Sequence, residues 1–312
     1  MAHIIKPKDR NAWLKSRESG IGSSEIVTII GLNPWETPYQ LWRRKKGIDA
    51  PKNENFAMKA GHYLEDAVSK FFADETGHEI IKSSAGDWLI VDEARPYLRV
   101  SPDRTYWLKG KPKSKNNKGI LECKTTQMHI DEDDIPKHWF CQLQYQLGVA
   151  GLETGSLAWL SSGREFGFKH LAFVKDFYDY LTEEAERFWV DYIIGDQEPL
   201  PVSVSDVIIK FNRHTDGKTV VATEELYDDY IKLKEIKEQI AELTKSKTEI
   251  EDAIKLALGD AESISYDGKT IATWKAPKPT MKFDADEFKL AHPQLAGEFT
   301  HEVQGARRFL VK

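Results

Sequence analysis

Cysteine is scarce in this chain of 312 residues, which contains only Cys123 and Cys141. Two cysteines exclude a disulfide framework, a four-cysteine zinc site and an iron–sulfur cluster held by four thiolates. No segment approaches the roughly 18 consecutive apolar residues that a membrane span requires, and the N-terminus lacks an apolar signal region. The sequence therefore predicts a soluble, intracellular protein with no membrane partner, in which both cysteines are small buried hydrophobic residues.

An excess of positive charge is also missing, since the formal net charge is −6. Many nucleic-acid-binding modules are visibly basic, so any contact with DNA has to come from local patches. Two basic runs are present, one from Arg43 to Lys46 and one from Lys109 to Lys118 that contains no acidic residue. Each run is either a solvated loop or a surface for DNA phosphates, and the sequence leaves both interpretations open.

Helical and strand patterns alternate along the first two thirds of the chain. Hydrophobic residues make up 40% and charged residues 30% of the chain, as in a folded globular protein. Apolar spacing and turn residues predict helices over 11–17, 25–30, 61–76, 136–151 and 177–194, with a further helix beginning after Pro38. Short β-branched or aromatic segments predict strands at 88–91, 97–100, 104–108, 120–125, 156–160 and 169–174. This order predicts an α/β or α+β fold with a central mixed sheet flanked by helices.

The sequence pattern changes near residue 210, which predicts one domain over 1–210 and an accessory region over 211–312. Within the second region, apolar residues from Leu233 to Ala257 advance by alternating steps of three and four, interrupted only by Lys247, in a charge-rich helix from about 224 to 258. That helix either packs on its own domain, folds into a helical hairpin or self-associates. A β-hairpin is predicted at 263–274 around Asp267-Gly268, followed by a terminal helix or strand.

The residues best suited to chemistry are Asp103, Glu122 and Lys124. Side chains alternate along a strand, so Glu122 and Lys124 lie on one face, while Leu121 and Cys123 lie on the face that suits a core. Asp103 comes from the preceding strand. Carboxylates that hold Mg²⁺ beside a lysine suit phosphodiester hydrolysis, because the metal activates water and neutralises developing charge while the lysine orients the water or stabilises the pentavalent state.

Glu65 adds a third carboxylate to this set. On the helix predicted at 61–76 it shares a face with Val68 and Phe72, so its side chain lies along the buried stripe. Carboxylates rarely occupy such a position without a partner. Glu65 is therefore either a metal ligand or one half of a buried salt bridge.

Six ordered segments of the chain resemble a known family, the YqaJ-type viral recombinases, which are similar to the lambda exonuclease branch of the PD-(D/E)XK nucleases. These segments are Arg17–Ile26 (RESGIGSSEI), Gly31–Leu41 (GLNPWETPYQL), Gly61–Ala67 (GHYLEDA), Ser101–Asp103, Leu121–Lys124 (LECK) and Gln142–Tyr145 (QLQY). The resemblance covers about residues 10 to 195. It implies a restriction-endonuclease-like core and an exonuclease domain over 1–210, in the cytoplasm of a bacterial host cell.

The same resemblance implies a function. It points to a Mg²⁺-dependent 5′→3′ exonuclease on double-stranded DNA ends, with Mn²⁺ able to substitute, that produces 3′ single-stranded overhangs for a single-strand annealing protein (RecT/Bet-like). Asp103, Glu122 and the backbone carbonyl of Cys123 would be metal ligands, Glu65 would serve a second metal, and Lys124 would assist the attacking water. The positions that match the family's 5′-phosphate site are Arg17, Ser24, Ser101 and Gln144. A homo-oligomer is implied as well, although the additional C-terminal 100 residues leave the ring-shaped trimer of the lambda-type enzyme uncertain for this chain.

Alternatives remain for individual residues and for the whole protein. Ser24 is either part of the phosphate site or only a helix cap, and Gln144 either contacts phosphate or satisfies a neighbouring backbone group. A structure-specific or restriction-like endonuclease on the same core is the first alternative function. A catalytically inactive DNA-binding protein is the second, and the intact set of Asp103, Glu122 and Lys124 argues against it.

Overall fold

The computed structural model describes residues 2–50, 55–81, 88–303 and 305–311. The chain separates into two compact units, Met1–Lys210 and Phe211–Lys312. Within the described ranges, no helix is both long enough and apolar enough to cross a membrane.

The first unit alternates helices and short strands. Its helices are α1 (Arg10–Glu18), α2 (Ser23–Ile29), α3 (Pro38–Lys45), α4 (Phe56–Thr76), α5 (Lys137–Ala150), α6 (Lys175–Arg187), which continues as a π-helix over Phe188–Ile194, and α7 (Val204–Lys210). Its strands are β1 (Ala2–Ile5), β2 (Glu79–Ile81), β3 (Leu89–Asp92), β4 (Arg99–Val100), β5 (Arg104–Trp107), β6 (Lys118–Thr126), β7 (Thr154–Ser161) and β8 (Glu165–Ala172). Each predicted element is present, with ends that differ by a few residues, whereas β1, β2 and α7 were not predicted.

The five-stranded sheet has the order β2-β5-β6-β7-β8. Strand β6 pairs antiparallel with β5 and parallel with β7, and the remaining neighbours are antiparallel. A parallel pair requires a crossover connection, and α5 supplies it between β6 and β7. The predicted mixed sheet flanked by helices is confirmed. A smaller three-stranded sheet has the order β1-β3-β4, and its last strand, β4, directly precedes β5 in the chain.

Two apolar cores lie on opposite faces of the sheet, and β6 contributes to both. Ile120 packs into the larger core with Leu143 and Leu147 of α5. Leu121 and Cys123 pack into the second core, which includes Val68 and Phe72 of α4. Alternation along β6 is therefore as predicted, and it turns Glu122 toward α5.

The turn between α1 and α2 is tied to β4. The backbone N–H of Ile21 donates to the Tyr97 carbonyl, and the N–H of Arg99 donates to the Ile21 carbonyl at 3.2 Å. A Cβ atom on Gly20 would lie 2.4 Å from the Tyr97 carbonyl oxygen and 2.2 Å from Arg99 Nε, so only glycine fits this approach. This contact anchors the start of α2 next to the strand that leads to Asp103.

The second unit contains the long helix α8 (Glu224–Leu258), a hairpin of β9 (Ser263–Tyr266) and β10 (Lys269–Thr273), and the short helices α9 (Ala285–Ala291) and α10 (Pro293–Glu298). Asp267 and Gly268 both have positive φ, at 49° and 72°, as the predicted two-residue turn requires. Helix α8 is continuous over 35 residues, so the alternative of a helical hairpin is wrong.

Candidate active site

Asp103 is held at the junction of β5 and β6. Pairing between these strands begins at Arg104 and Leu121, so Asp103 lies just beyond the ladder. There its Oδ2 accepts a hydrogen bond of 2.7 Å from the backbone N–H of Cys123. The Asp103 carboxylate therefore accepts the hydrogen bond that the backbone of a paired strand would otherwise accept from Cys123. This bond to β6 holds Asp103 beside Glu122.

Glu122 and Lys124 form an ion pair on the face of β6 that is turned toward α5. Lys124 Nζ lies 2.7 Å from Glu122 Oε1, and the Glu122 side chain is only 3% exposed. A buried carboxylate needs several donors, since each unsatisfied oxygen costs free energy. The predicted alternation along β6 thus brings the acid and the base together in one partly enclosed site.

Two glutamines of α5 complete the surroundings of Glu122, and the sequence analysis did not identify them. Gln142 donates from Nε2 to Glu122 Oε1 and accepts at Oε1 a hydrogen bond of 2.9 Å from Lys124 Nζ. Gln146 donates from Nε2 to Glu122 Oε2 at 2.8 Å and to Ser23 Oγ at 3.1 Å. Their spacing of four residues, which puts both amides on one helical face, is the signal that could have identified them.

Glu65 lies on α4 at the border of the second core. Its side chain is 18% exposed, and its carboxylate pairs with His62 Nδ1 at 3.4 Å and Arg104 Nη1 at 3.9 Å. Arg104 also donates to the backbone carbonyl of Asp103 at 2.7 Å, which links the two acidic positions. The salt bridge that the sequence left open is therefore present, and a role for Glu65 at a second metal stays a prediction.

Burial and neighbouring carboxylates shift the pKa values of the acidic residues in this site. Burial, and then repulsion from Glu122 and Glu65, raises the pKa of Asp103 well above its ordinary value. Burial also raises the pKa of Glu65, with a contribution from Glu122 in the same direction. Burial alone would lower the pKa of Lys124, but Glu122 and Asp103 outweigh it and raise that pKa. The site thus gathers negative charge that a bound cation would stabilise.

These donors fit a Mg²⁺ ion. Mg²⁺ prefers hard oxygen ligands, is held by one or two protein carboxylates and keeps several of its waters. Asp103, Glu122 and the backbone carbonyl of Cys123 can supply such a set. Among the described residues, no three His, Cys, Asp or Glu side chains form a complete metal-binding group, so a closed cage made of side chains alone is not assembled.

The predicted phosphate-binding residues Arg17, Ser24 and Ser101 differ in their exposure. Arg17 and Ser24 are exposed. The Arg17 guanidinium lies 4.7 Å from the centre of the Trp13 ring, which holds it through a cation–π contact. Ser101, two residues before Asp103, is partly buried and donates to the Trp88 carbonyl at 3.2 Å.

Gln144 is not in a position to bind phosphate. Its side chain is fully buried, donates to the Ala172 carbonyl at 2.8 Å and accepts from the backbone N–H of Val174 at 2.8 Å. Both ends of the amide are used to hold the connection between β8 and α6. The alternative that Gln144 satisfies neighbouring backbone groups is the one the structure supports, and its assignment to the phosphate site was wrong.

The two basic runs differ in their surroundings. Each residue of the first run is ion-paired: Arg43 with Asp49, Arg44 with Glu25 and Glu36, Lys45 with Glu25, and Lys46 with Asp196. That run belongs to the C-terminal half of α3 and the residue after it, so the solvated-loop interpretation is wrong, and its charge is largely neutralised within the fold. The second run lies in the β5–β6 connection, where Lys109, Lys111, Lys113 and Lys115 are exposed and Lys113 pairs with Glu79 at 2.6 Å.

The fold and the site define a mixed α/β protein with an Asp–Glu–Lys cluster at the centre of its sheet. Residues 12–153 match the model of the YqaJ-like viral recombinase domain. This match confirms the predicted resemblance to that family. A relative along nearly the whole length is the uncharacterized protein YqaJ of Bacillus subtilis strain 168, which is 29% identical over 317 residues and covers 97% of this chain and 94% of its own.

Two of the solved structures with partial similarity are named as exonucleases. An alkaline exonuclease of Laribacter hongkongensis, LHK-Exo, has a TM-score of 0.46 and 15% identity over 59% of this chain and 93% of its own. A phage-related exonuclease of Haemophilus somnus 129PT has a TM-score of 0.39 and 11% identity over 57% of this chain and 96% of its own.

Proposed function

We propose that this protein is a Mg²⁺-dependent 5′→3′ exonuclease that digests double-stranded DNA from its ends and leaves 3′ single-stranded overhangs. The observation that carries the proposal is the contact of Asp103 with the Cys123 N–H beside the buried Glu122–Lys124 pair. This arrangement brings two carboxylates and a lysine together at the junction of β5 and β6, which suits phosphodiester hydrolysis with a divalent metal.

Each residue of the cluster has a distinct part in that reaction. Asp103, Glu122 and the Cys123 carbonyl would hold the metal, which when bound supplies Lewis-acid stabilisation of the phosphate and a more acidic water. The raised pKa of Lys124 keeps its ammonium group protonated near neutral pH. Lys124 therefore acts by stabilising negative charge on the phosphate rather than by removing a proton. Gln142 and Gln146 hold Glu122 in place.

A linear duplex labelled at either end tests the reaction and its polarity. With Mg²⁺ present, label at the 5′ terminus is released first and the 3′-labelled strand persists. Chelation of the metal stops the release, and Mn²⁺ restores it. Release of the 3′ label first would reverse the proposed polarity, and activity that persists in a chelator would contradict the metal requirement.

Recognition of the end rests on Arg17, Ser24 and Ser101. Arginine can grip a phosphate with two parallel hydrogen bonds, and hydroxyl donors add to the site without adding charge. Because Gln144 does not belong to this set, fewer residues support recognition of a DNA end than the resemblance implied. The proposal of nuclease activity does not depend on Gln144. A restriction-like or structure-specific endonuclease is therefore the second candidate function. Digestion of a covalently closed circle without prior nicking would favour the endonuclease over the exonuclease.

The expected partner is a single-strand annealing protein of the RecT or Bet type, which would receive the 3′ overhang. Support for this partner is the match of residues 12–153 to the model of the YqaJ-like viral recombinase domain. Co-purification of the protein with a RecT/Bet-like annealing protein tests the pairing directly. The ring-shaped trimer implied by the family resemblance is tested by the molar mass of the protein in solution.

A further inference from the structure

Helix α8 carries an apolar stripe that is exposed to water. The stripe advances by alternating steps of three and four residues, which is the spacing of the a and d positions of a coiled coil. Its apolar members are Leu226, Leu233, Ile236, Ile240, Leu243, Ile250, Ile254 and Ala257. Ile236 is 50% exposed, Leu243 71% and Ile250 62%. A long helix with such a stripe in water is typical of a helix that pairs with another one.

Two charged residues, Asp229 and Lys247, occupy positions within the same stripe. They lie about 27 Å apart along the helix axis, so they cannot pair with each other in one copy. In the described part of the chain, each pairs with an exposed residue of its own helix, Asp229 with Lys232 at 3.7 Å and Lys247 with Glu251 at 3.1 Å. Burial of an isolated charge in a helix interface is costly, so a suitable partner has to offer each one the opposite charge.

A parallel arrangement of two copies does not meet this condition. In-register parallel helices place each a residue against its own equivalent, so Lys247 would face the partner's Lys247. A parallel trimer would gather three copies of Lys247 around one axis. Like charges in these positions oppose association.

An antiparallel arrangement does meet it, because each a residue then faces a d residue. One register sets Asp229 opposite the partner's Lys247. In that register the other facing pairs are Leu226 with the partner's Ile250, Leu233 with the partner's Leu243, and Ile236 with the partner's Ile240. A shift by one heptad would instead bury Lys247 against the partner's Ile236. Only this register pairs the two charges, and its other facing pairs within α8 are apolar.

We propose that α8 binds a second copy of this chain as an antiparallel two-stranded coiled coil, in the register that joins Asp229 to the partner's Lys247. The proposal concerns the second unit and does not depend on the nuclease function. It gives the accessory region a role in self-association that differs from the ring-shaped trimer implied by the resemblance.

Exchange of the two charges tests the pairing in the full-length protein by sedimentation velocity over a range of concentrations. Lys247→Asp sets two aspartates face to face, and Asp229→Lys sets two lysines face to face. We expect each to weaken the dimer by at least about tenfold in Kd. The double variant Asp229→Lys/Lys247→Asp restores the opposite charges and the dimer. Lys245→Asp and Asp228→Lys make the same charge changes outside the stripe and leave the dimer intact.

Cysteine cross-linking tests the direction of the helices independently. The double variant Leu226→Cys/Ile250→Cys forms a disulfide-linked dimer in the antiparallel register, whereas Leu226→Cys alone keeps its thiols about 36 Å apart and forms none. Efficient cross-linking by Leu226→Cys alone would establish a parallel pair and overturn the proposal. A wild-type monomer at all concentrations would also overturn it, as would a dimer that both single charge variants leave unchanged.

Discussion

Gln146 of α5 donates a hydrogen bond of 2.8 Å from its Nε2 to Oε2 of Glu122 on β6. The two residues are far apart in sequence, and the contact exists because α5 crosses the face of β6 on which Glu122 lies. The same nitrogen donates to Ser23 Oγ at 3.1 Å, so one amide joins α2, α5 and β6. Oε1 of Gln146 is buried and has no hydrogen-bond partner in the described part of the chain. A buried oxygen without a hydrogen-bond partner lowers the stability of the fold. We therefore infer that the main role of Gln146 is to hold Glu122 in position.

Gln146→Leu therefore tests the positioning of Glu122. The substitution keeps the volume and removes both the donor and the unsatisfied oxygen, so we expect activity to fall by about 10-fold to 100-fold with a small change in melting temperature. Gln144→Leu is the matched control on the same helix, because it removes two hydrogen bonds to the backbone near Ala172 and Val174. The control is expected to lower stability and to leave the kcat of the folded enzyme unchanged. Equal effects of both variants on kcat would contradict a specific role for Gln146.

Asp103→Asn is expected to abolish Mg²⁺-dependent digestion while the protein remains folded. Asparagine can still accept the Cys123 N–H but offers no charged ligand, and the loss of several kcal/mol of transition-state stabilisation corresponds to a rate decrease of at least about 10³-fold. Digestion of a labelled duplex measures the loss, and near-ultraviolet circular dichroism checks the fold. Unchanged activity would refute the proposed centre.

The same variant has a predicted dependence on pH. Burial and neighbouring carboxylates raise the folded-state pKa of Asp103, so the stability that its protonated form contributes is complete below the unfolded pKa of about 3.9 and is lost as pH rises through the folded pKa. In metal-free buffer, Asp103→Asn should gain melting temperature relative to the wild type as the pH rises from acid to neutral. Added Mg²⁺ should then stabilise the wild type more than the variant. A variant that is less stable than the wild type at neutral pH without metal would contradict this account.

Arg17→Ala is expected to reduce the preference for 5′-phosphorylated ends by about 10-fold to 100-fold, because a charge-assisted contact with the phosphate is lost. Arg10→Ala is a matched control, since Arg10 also lies over the Trp13 ring, at 5.5 Å. Initial rates on phosphorylated and hydroxyl-ended duplexes separate the two outcomes. If Arg17→Ala slows both substrates equally, the residue is structural and end recognition lies elsewhere.

Gly20→Ala should lower the free energy of unfolding by about 1–3 kcal/mol, since the new methyl group would overlap Arg99 and the Tyr97 carbonyl. Gly22→Ala is the control on the same turn, where an added Cβ would meet its nearest neighbour at 3.7 Å. Urea denaturation of the two variants measures the difference. Equal stability would show that the turn can move away from β4 without cost.

Much of the first unit can be predicted from sequence because its elements have strong local patterns. The strand over 120–125 shows this well, since alternation alone places Leu121 and Cys123 in a core and Glu122 with Lys124 on the opposite face. The turn at Asp267-Gly268 is equally local, because few residues other than glycine, asparagine and aspartate adopt positive φ there. Strands β1 and β2 escaped prediction because strands this short carry almost no periodic signal and are stabilised by their partners.

The helical phase of α5 is the clearest case in which local pattern fails. The helix is buried on most sides, so the spacing of Gln142 and Gln146 shows that they share a face but does not indicate that this face packs against β6. Gln144 was assigned to the phosphate site, yet it faces the β8–α6 connection, whereas Gln142 and Gln146 face Glu122. The direction of a polar side chain on such a helix depends on what packs around it.

The sequence by itself determined that Glu122 and Lys124 share one face of a strand, because the alternation of side chains is a property of the extended backbone. It also determined the apolar spacing along α8, since that spacing follows from the helical repeat. Only the tertiary structure decided that the N–H of Cys123 holds Asp103, that Gln142 and Gln146 surround Glu122, and that the basic run of α3 is neutralised. Those contacts join residues distant in sequence, and their geometry arises from the packing of whole elements, which no local pattern encodes.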